Sequence, residues 1–293
     1  MKKSFKKYYL FCICTYNRID QLEKTILSIS KLNKTKNCQI EILVIDNFGN
    51  INKKKLKKIF LNLTVVNENR IGISNARNKA LEQAKNKKCD YICFLDDDCI
   101  LDKSWLIKNI FFIKKFNAQI VTGPHISKNN FFLNITERKL KHGSLTNWAS
   151  TNNVIFDKKI LNLNIKFSSI IQKYGAEDQL FFKKLNKLGL KIYWNSGAKV
   201  FDISHKKRIN FNWFLKRGLG HGASNIFIYD ELYGKFQSIL ISILKLNYDF
   251  LLSILFLLKS VNLKKVNFFK FLYLLSRTVG NFLSIIGFRF ERY

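Results

Sequence analysis

The chain has 293 residues, 47% of them hydrophobic, which excludes a disordered protein and leaves room for one large α/β domain with an appendage. A formal net charge of +31 predicts attraction to something anionic: nucleic acid, an acidic membrane leaflet or a phosphorylated substrate. Lys, Asn, Ile and Phe are abundant while Pro occurs once, a pattern of AT-rich coding bias, so much of the lysine is expected on solvated faces.

The first hundred residues alternate strand and helix signals. Tyr8 to Cys14 reads as a strand. Asp20, with Glu23 three residues on, is set to cap a helix whose Leu22, Ile26 and Ile29 share a face. Gln39 to Asp46 is a second strand, a basic helix covers Lys53 to Phe60, and Leu63 to Val66 is a third strand. Ser74 is placed to cap a helix carrying Ala76, Ala80, Leu81 and Ala84 on one side, and Asp90 to Leu95 is the next strand. Strands and helices at this spacing predict a mostly parallel sheet with crossover helices, in which ligands bind beyond the carboxyl ends of the strands. Asn17, Asp46 and Asp96 all stand at such ends.

Further on, a helix is expected over Lys103 to Phe116, strands over Ala118 to Thr122 and Thr151 to Phe156, and a helix from about Glu177 to Gly189. No linker separates this part from the first, which predicts one shared sheet. From about 211 the chain turns to long apolar stretches. Ser238, Ser242, Lys245, Asp249, Ser253 and Ser260 recur as a narrow polar stripe on one apolar helix, and Asn267, Lys270, Arg277, Asn281 and Ser284 on a second. Two amphipathic helices in a membrane interface are expected; a buried helical pair, a dimer interface and true spans are the alternatives. Trp213 to Arg217, ahead of them, has the aromatic and basic mixture of a membrane interface.

All six cysteines lie between Cys12 and Cys99 without the paired spacing of a zinc site. Buried, reduced thiols in a cytosolic protein are expected. Met1 to Lys7 is basic but leads into a strand without a signal-peptide pattern, so the catalytic part is expected in the cytoplasm.

The segment that carries most chemistry is Tyr91 to Asp98, an apolar strand that runs into three aspartates. Side chains alternate faces along a strand, so Asp96 and Asp98 are expected to point the same way from its tip and Asp97 away. Two hard oxygen donors at a strand end suit Mg²⁺ or Mn²⁺ held jointly with a substrate diphosphate; a solvated acidic turn is the plainer alternative.

Cys14-Thr-Tyr-Asn-Arg18, Ile45-Asp-Asn47, Gly72 to Asn78, Phe94-Leu-Asp-Asp-Asp98, Thr151-Asn-Asn153 and Gly175-Ala-Glu-Asp-Gln179 follow in order. Together, over about residues 8–220, they resemble an inverting family 2 glycosyltransferase of the GT-A fold, nearest the branch that builds exopolysaccharide and lipid-linked surface glycans. The resemblance implies a GT-A catalytic domain over 1–210, its nucleotide-binding half about 1–100 and its acceptor half about 101–210, then a helical membrane-associated region over 211–293.

It also implies roles. Thr15, Tyr16 and Arg18 match the turn set against the nucleotide base, and Asp46 the residue that accepts from the base's ring nitrogen, which favours uracil. Arg70 and Arg77 flank a loop placed to meet the diphosphate, and Asn153 joins this donor-binding group. Asp96 matches the aspartate near ribose and metal, and Asp98 the principal metal ligand. Asp178, with Glu177, matches the catalytic base; from spacing alone both are equally helix-capping carboxylates. Either His205 or Asp202 is the further metal ligand, and both also admit a structural role.

The implied partners are a nucleotide-sugar donor, a saccharide or lipid-linked saccharide acceptor, Mn²⁺ or Mg²⁺, and the anionic cytoplasmic face of the inner membrane, with peripheral or interfacial attachment. A sugar nucleotidyltransferase would need a Gly-rich phosphate loop after the first strand, where this chain has Thr-Tyr-Asn-Arg. Nucleic-acid binding would use the charge but leave the aspartates unexplained.

Overall fold

The computed structural model describes residues 6–127, 130–203, 210–261 and 265–288. The chain divides into two compact units: Met1–Ile126 with Arg138–Phe167 and Phe181–Ile203, and Ser127–Glu137 with Ser168–Leu180 and Ser204–Tyr293.

The first unit opens with β1 (Lys7–Thr15), α1 (Ile19–Ser30), β2 (Cys38–Asp46), α2 (Lys53–Ile59), β3 (Leu63–Asn67), α3 (Ile73–Asn86) and β4 (Tyr91–Asp96). It continues through β5 (Cys99–Leu101), α4 (Trp105–Phe116), β6 (Ile120–Thr122) and β7 (His125–Ile126). Beyond α5 (Phe131–Thr136) come β8 (Leu145–Thr146), β9 (Val154–Asp157), α6 (Glu177–Lys187), β10 (Ile192–Trp194) and β11 (Val200–Asp202). The main sheet has the order β3-β2-β1-β4-β9-β6-β10-β8, and β5-β11-β7 form a second, small sheet. The first four strands are parallel, while β9 runs antiparallel to both β4 and β6. Strands from both sequence halves therefore share one sheet.

Alternation along β1 explains why the sheet is covered on both faces. Tyr9, Phe11 and Ile13 join a core with Leu22, Ile26 and Ile29 of α1 and Trp105, Leu106 and Phe112 of α4. Leu10, Cys12 and Cys14 join a second core with Ala76, Ala80 and Ala84 of α3. The cysteines are free thiols; Cys12, Cys14, Cys93 and Cys99 are buried.

Two expected caps are corrected. Arg18, not Asp20, is the residue before α1, and it makes no side-chain cap. Gly72 precedes α3, so Ser74 lies inside that helix and is buried. Gly72 has φ +133°, a conformation that glycine adopts without a Cβ penalty.

In the second unit α7 (Phe211–Tyr233), α8 (Lys235–Ser260) and α9 (Lys265–Ile285) pack together. Gly234, at φ +83°, is the single residue between α7 and α8. The polar stripe foreseen on α8 is turned inward: its buried residues are Ser238, Ser242, Asp249 and Ser253. Asp249 receives the Arg277 guanidinium, with Nε donating to Oδ2 at 2.7 Å. Asn281 Nδ2 donates to the Ser242 carbonyl at 2.8 Å. The α8 helix is long and apolar enough to cross a membrane by length and composition.

Candidate active site

Parallel register sets the site. Thr15 pairs with Asp46, Asp46 with Asn67, and Cys14 with Asp96, so the carboxyl ends of β3, β2, β1 and β4 lie side by side. At the usual strand spacing, β2 and β4 end about 10 Å apart across β1. Thr15, Asp46 and Asp96 thus line one edge, where ligands of open α/β sheets bind.

Strand β4 stops at Asp96, and Asp97 and Asp98 form a turn into β5. The alternation expected through Asp98 is therefore broken, because a turn does not keep the two-residue period. Asp97 is buried and not set apart: its Oδ2 accepts from Thr15 Oγ1 at 2.6 Å and its Oδ1 from Arg18 Nη1 at 3.1 Å. Arg18 Nη1 is also 3.6 Å from Asp98 Oδ2. Burial pushes the Asp97 carboxyl up to about 6, against the pull of Arg18 and Thr15. The Asp97 carbonyl accepts from Thr25 Oγ1 at 2.9 Å, which ties this turn to α1. Asp96 has the most open carboxylate of the three, with 40% side-chain exposure, and lies 3.5 Å from Nη2 of the buried Arg77. Arg77 also sits over the Phe167 ring at 5.6 Å.

Asp46 is buried and shapes its own loop. Oδ1 accepts from the backbone N–H groups of Phe48 and Gly49 at 3.0 and 2.8 Å, and Oδ2 from that of Ile51 at 3.0 Å. That loop presents Phe48 edge-on to Tyr16, ring centroids 5.2 Å apart, and both rings are about half exposed. Sequence reading missed Phe48. The signal available was an aromatic one residue past a strand-end Asp-Asn pair.

Asn47 braces the next loop: Nδ2 donates to the carbonyls of Glu68 and Arg70, and Oδ1 accepts from Gly72 N–H. Arg70 is exposed and bonds Glu68 through Nε and Nη2, which holds the Glu68 carboxyl down to about 2. Arg70 and Arg77 thus differ: one is an exposed loop cation, the other an interior one. Asn153 is 1% exposed, and its carboxamide is committed to protein: Oδ1 accepts from Trp105 Nε1, and Nδ2 donates to the carbonyls of Pro124 and Ala198. It braces backbone.

Behind the acidic turn, β11 pairs with β5, bringing Asp202 opposite Cys99, and Ile203 N–H donates to the Asp98 carbonyl at 2.8 Å. His125 Nε2 lies 3.6 Å from Cys99 Sγ and 3.9 Å from Asp202 Oδ1, a placement the sequence did not signal. His205 lies outside the described residues.

Glu177 and Asp178 open α6 and are grouped with the second unit. Gly175, in the left-handed region at φ +67°, turns the chain into this helix. Ile171, Ala176 and Leu180 pack there with Ile228 and Leu232 of α7, and Tyr174 stacks on Phe227 at 4.0 Å. Glu177 is buried, Asp178 is half-buried, and Asp178 Oδ1 accepts from Gln179 N–H at 2.7 Å.

Among the described residues, no group of three or more His, Cys, Asp or Glu is arranged to hold a metal ion. The donor chemistry at Asp96 and Asp98 still fits Mg²⁺ or Mn²⁺, which bind through one or two carboxylates when substrate phosphates and water complete the shell.

Known proteins are similar to this chain in sequence and fold. The model of the family "Glycosyl transferase family 2" matches residues 10–175. The succinoglycan biosynthesis protein ExoM of Rhizobium meliloti (strain 1021) is 24% identical over 230 residues, covering 73% of this chain and 72% of that protein. The mannosyltransferase PcManGT from Pyrobaculum calidifontis, solved with GDP-Man and Mn²⁺, superposes with a TM-score of 0.64 at 14% identity, over 95% of this chain and 88% of that one. S. aureus TarS 1-349 with UDP gives 0.53 at 15% identity, over 97% and 93%. A longer TarS structure gives 0.52 at 18% identity over 78% of this chain, which spans 43% of it. These likenesses give the α/β architecture its name, the GT-A fold. With more than half of its length matched, the chain belongs to glycosyl transferase family 2 and is a glycosyltransferase.

Proposed function

We propose that the protein moves a sugar from a nucleoside-diphosphate sugar, UDP-linked in the first instance, to a hydroxyl of a lipid-linked saccharide, with inversion at the anomeric carbon. The product feeds a surface polysaccharide, and the reaction takes place at the cytoplasmic face of the membrane. The observation that carries this reading is the register that aligns Thr15, Asp46 and Asp96 beside the exposed Tyr16–Phe48 pair. An aromatic surface beside carboxylates suits a nucleobase joined to a diphosphate-bound cation. The name of ExoM supports polysaccharide synthesis, and the ligands of TarS and PcManGT support a nucleotide donor.

In this reading one ring of the Tyr16–Phe48 pair stacks on the base and the other meets it edge-on, while the Asp46 loop borders it. Asp96 faces the ribose, and Arg70 is the exposed cation available to phosphate. Asp96 and Asp98 would hold Mn²⁺ or Mg²⁺, and a cation bound there would supply positive charge to the departing nucleoside diphosphate. Asp178 takes the acceptor hydroxyl's proton as that oxygen bonds to the anomeric carbon. The carbon–oxygen bond to the diphosphate breaks on the opposite side, its electron pair leaving with the phosphate. Asn153 is left out of the donor contacts because its carboxamide is used within the protein.

The test is thermal stabilisation by nucleoside diphosphates and their sugars, with and without Mn²⁺, on wild type and Asp98→Asn. UDP stabilisation that needs Mn²⁺ and disappears in Asp98→Asn is the expected result. Folded protein that responds to no nucleotide would refute the donor assignment.

A further inference from the structure

Helix α8 has its polarity inside out. In a water-soluble bundle the apolar stripe faces the neighbouring helices and the polar face meets solvent. Here Ser242, Asp249 and Ser253 of α8 are fully buried, as is Asn281 of α9. The outer face of α8 carries Leu244, Leu251 and Leu258, each about two-thirds exposed, with Ile243, Ile254 and Leu255 also bare. A bare apolar surface that runs the length of a helix is more than a soluble monomer leaves to water.

The inner face independently matches packing in lipid. Where surrounding acyl chains are as apolar as leucine, helices associate through small residues and polar bonds rather than through buried leucine. A Cβ added at Gly222 would strike the Arg277 carbonyl on α9, and one at Gly280 would strike the Leu219 backbone on α7. The two backbones are in direct contact. The Asp249–Arg277 pair and the Asn281-to-Ser242 bond then supply polar links between α8 and α9.

Charge selects the occupant. Lys235 begins α8, Lys259 lies in its last turn and Lys265 begins α9, so cations stand at helix ends, where lipid phosphates meet them. Near its middle α8 has Asp249 and a half-buried Lys245, both off the leucine face. A second protein copy would cover one strip of such a helix, whereas acyl chains cover its whole outer circumference.

We propose that α8 is immersed in the hydrocarbon of a bilayer, with its leucine face against acyl chains and its serine–aspartate stripe dry inside the unit. Attachment is then integral, not the peripheral or interfacial attachment expected from sequence. This inference rests on the burial pattern of the three helices and not on the transfer reaction.

The experiment uses the full chain in native membranes. Wild type stays in the pellet through concentrated salt and alkaline carbonate and is released by detergent. Leu244→Glu/Leu251→Glu/Leu255→Glu moves most of the protein to the soluble fraction. Because that variant can misfold, a second arm places Leu251→Trp in vesicles of brominated phosphatidylglycerol. The added emission should be quenched at least twofold more than that of the native tryptophans. Release of wild type by salt, or unquenched emission from the added tryptophan in bound protein, would overturn the proposal. So would a detergent-free soluble dimer whose partner shields the leucine face. Nucleotide stabilisation measured on the same detergent extract separates failure here from failure of the donor assignment.

Discussion

Thr15 Oγ1 donates to Asp97 Oδ2 across 2.6 Å, so a buried hydrogen bond joins the end of β1 to the acidic turn after β4. Arg18 closes the same triangle from outside, reaching both Asp97 and Asp98. The aspartate that lies off the expected ligand pair thereby holds the loops that carry it.

That carboxyl has a pH signature. Burial raises Asp97 to about 6 from 3.8, so the folded protein binds this proton more tightly than the unfolded chain. Its contribution to stability is complete below about pH 4 and is lost as pH rises through about 6, a cost on the order of 3 kcal/mol. Asp97→Asn is expected to melt above wild type at neutral pH, with the gain vanishing near pH 4. A melting difference that ignores pH would reject this account.

The aromatic pair should govern nucleotide affinity and little else. Base stacking on an aromatic ring is worth about 1–3 kcal/mol, so Tyr16→Ala or Phe48→Ala should weaken UDP binding by about 5- to 150-fold. Both rings are about half exposed, so melting without nucleotide should barely change. Calorimetric titration of UDP decides it: unchanged affinity in both variants would remove the pair from the site.

Asp178→Asn should separate binding from turnover. Loss of a general base lowers kcat by about 10²- to 10⁴-fold, while donor affinity stays at the wild-type level. Turnover and nucleotide binding should be measured on one preparation. A variant that keeps full kcat would return Asp178 to a capping role.

The α7–α9 contact should not tolerate a methyl group. Gly222→Ala forces the helices apart against the Arg277 carbonyl and the Asn281 amide, at a cost of about 1–3 kcal/mol. Val279→Ala, on the exposed side of α9, is the control. Proteolysis of the helical unit should accelerate in the glycine variant alone; equal rates would show that the backbones are not in contact.

The sheet was legible in the sequence because its strands are buried on both faces and read as unbroken apolar runs, as at Leu10 to Cys14. The residues at the strand ends followed from the same runs, since a polar residue marks where each stops. Helix α7 was not legible. Gly218, Gly220 and Gly222 look like a helix breaker, and only their burial against a neighbour explains why they sit in a helix. The inward polar stripe defied sequence for a related reason: periodicity reveals two faces but not which one meets solvent. The pair of strands β5 and β11, which carries Asp202 to the acidic turn, is too short to leave a periodic signal.

The interleaving of the two units bears on where the chain can be cut. Segments Ser127–Glu137 and Ser168–Leu180 precede residue 204 in sequence yet belong with the helices that follow it. A protein shortened to end before α7 would keep the whole main sheet but strip Ile171, Ala176 and Leu180 of Ile228 and Leu232. Tyr174 would lose the ring it stacks on. The turn that delivers Glu177 and Asp178 would then be left without a floor, so a truncation made for solubility would forfeit the placement of the carboxylate proposed as the base while sparing the strand ends proposed to bind nucleotide.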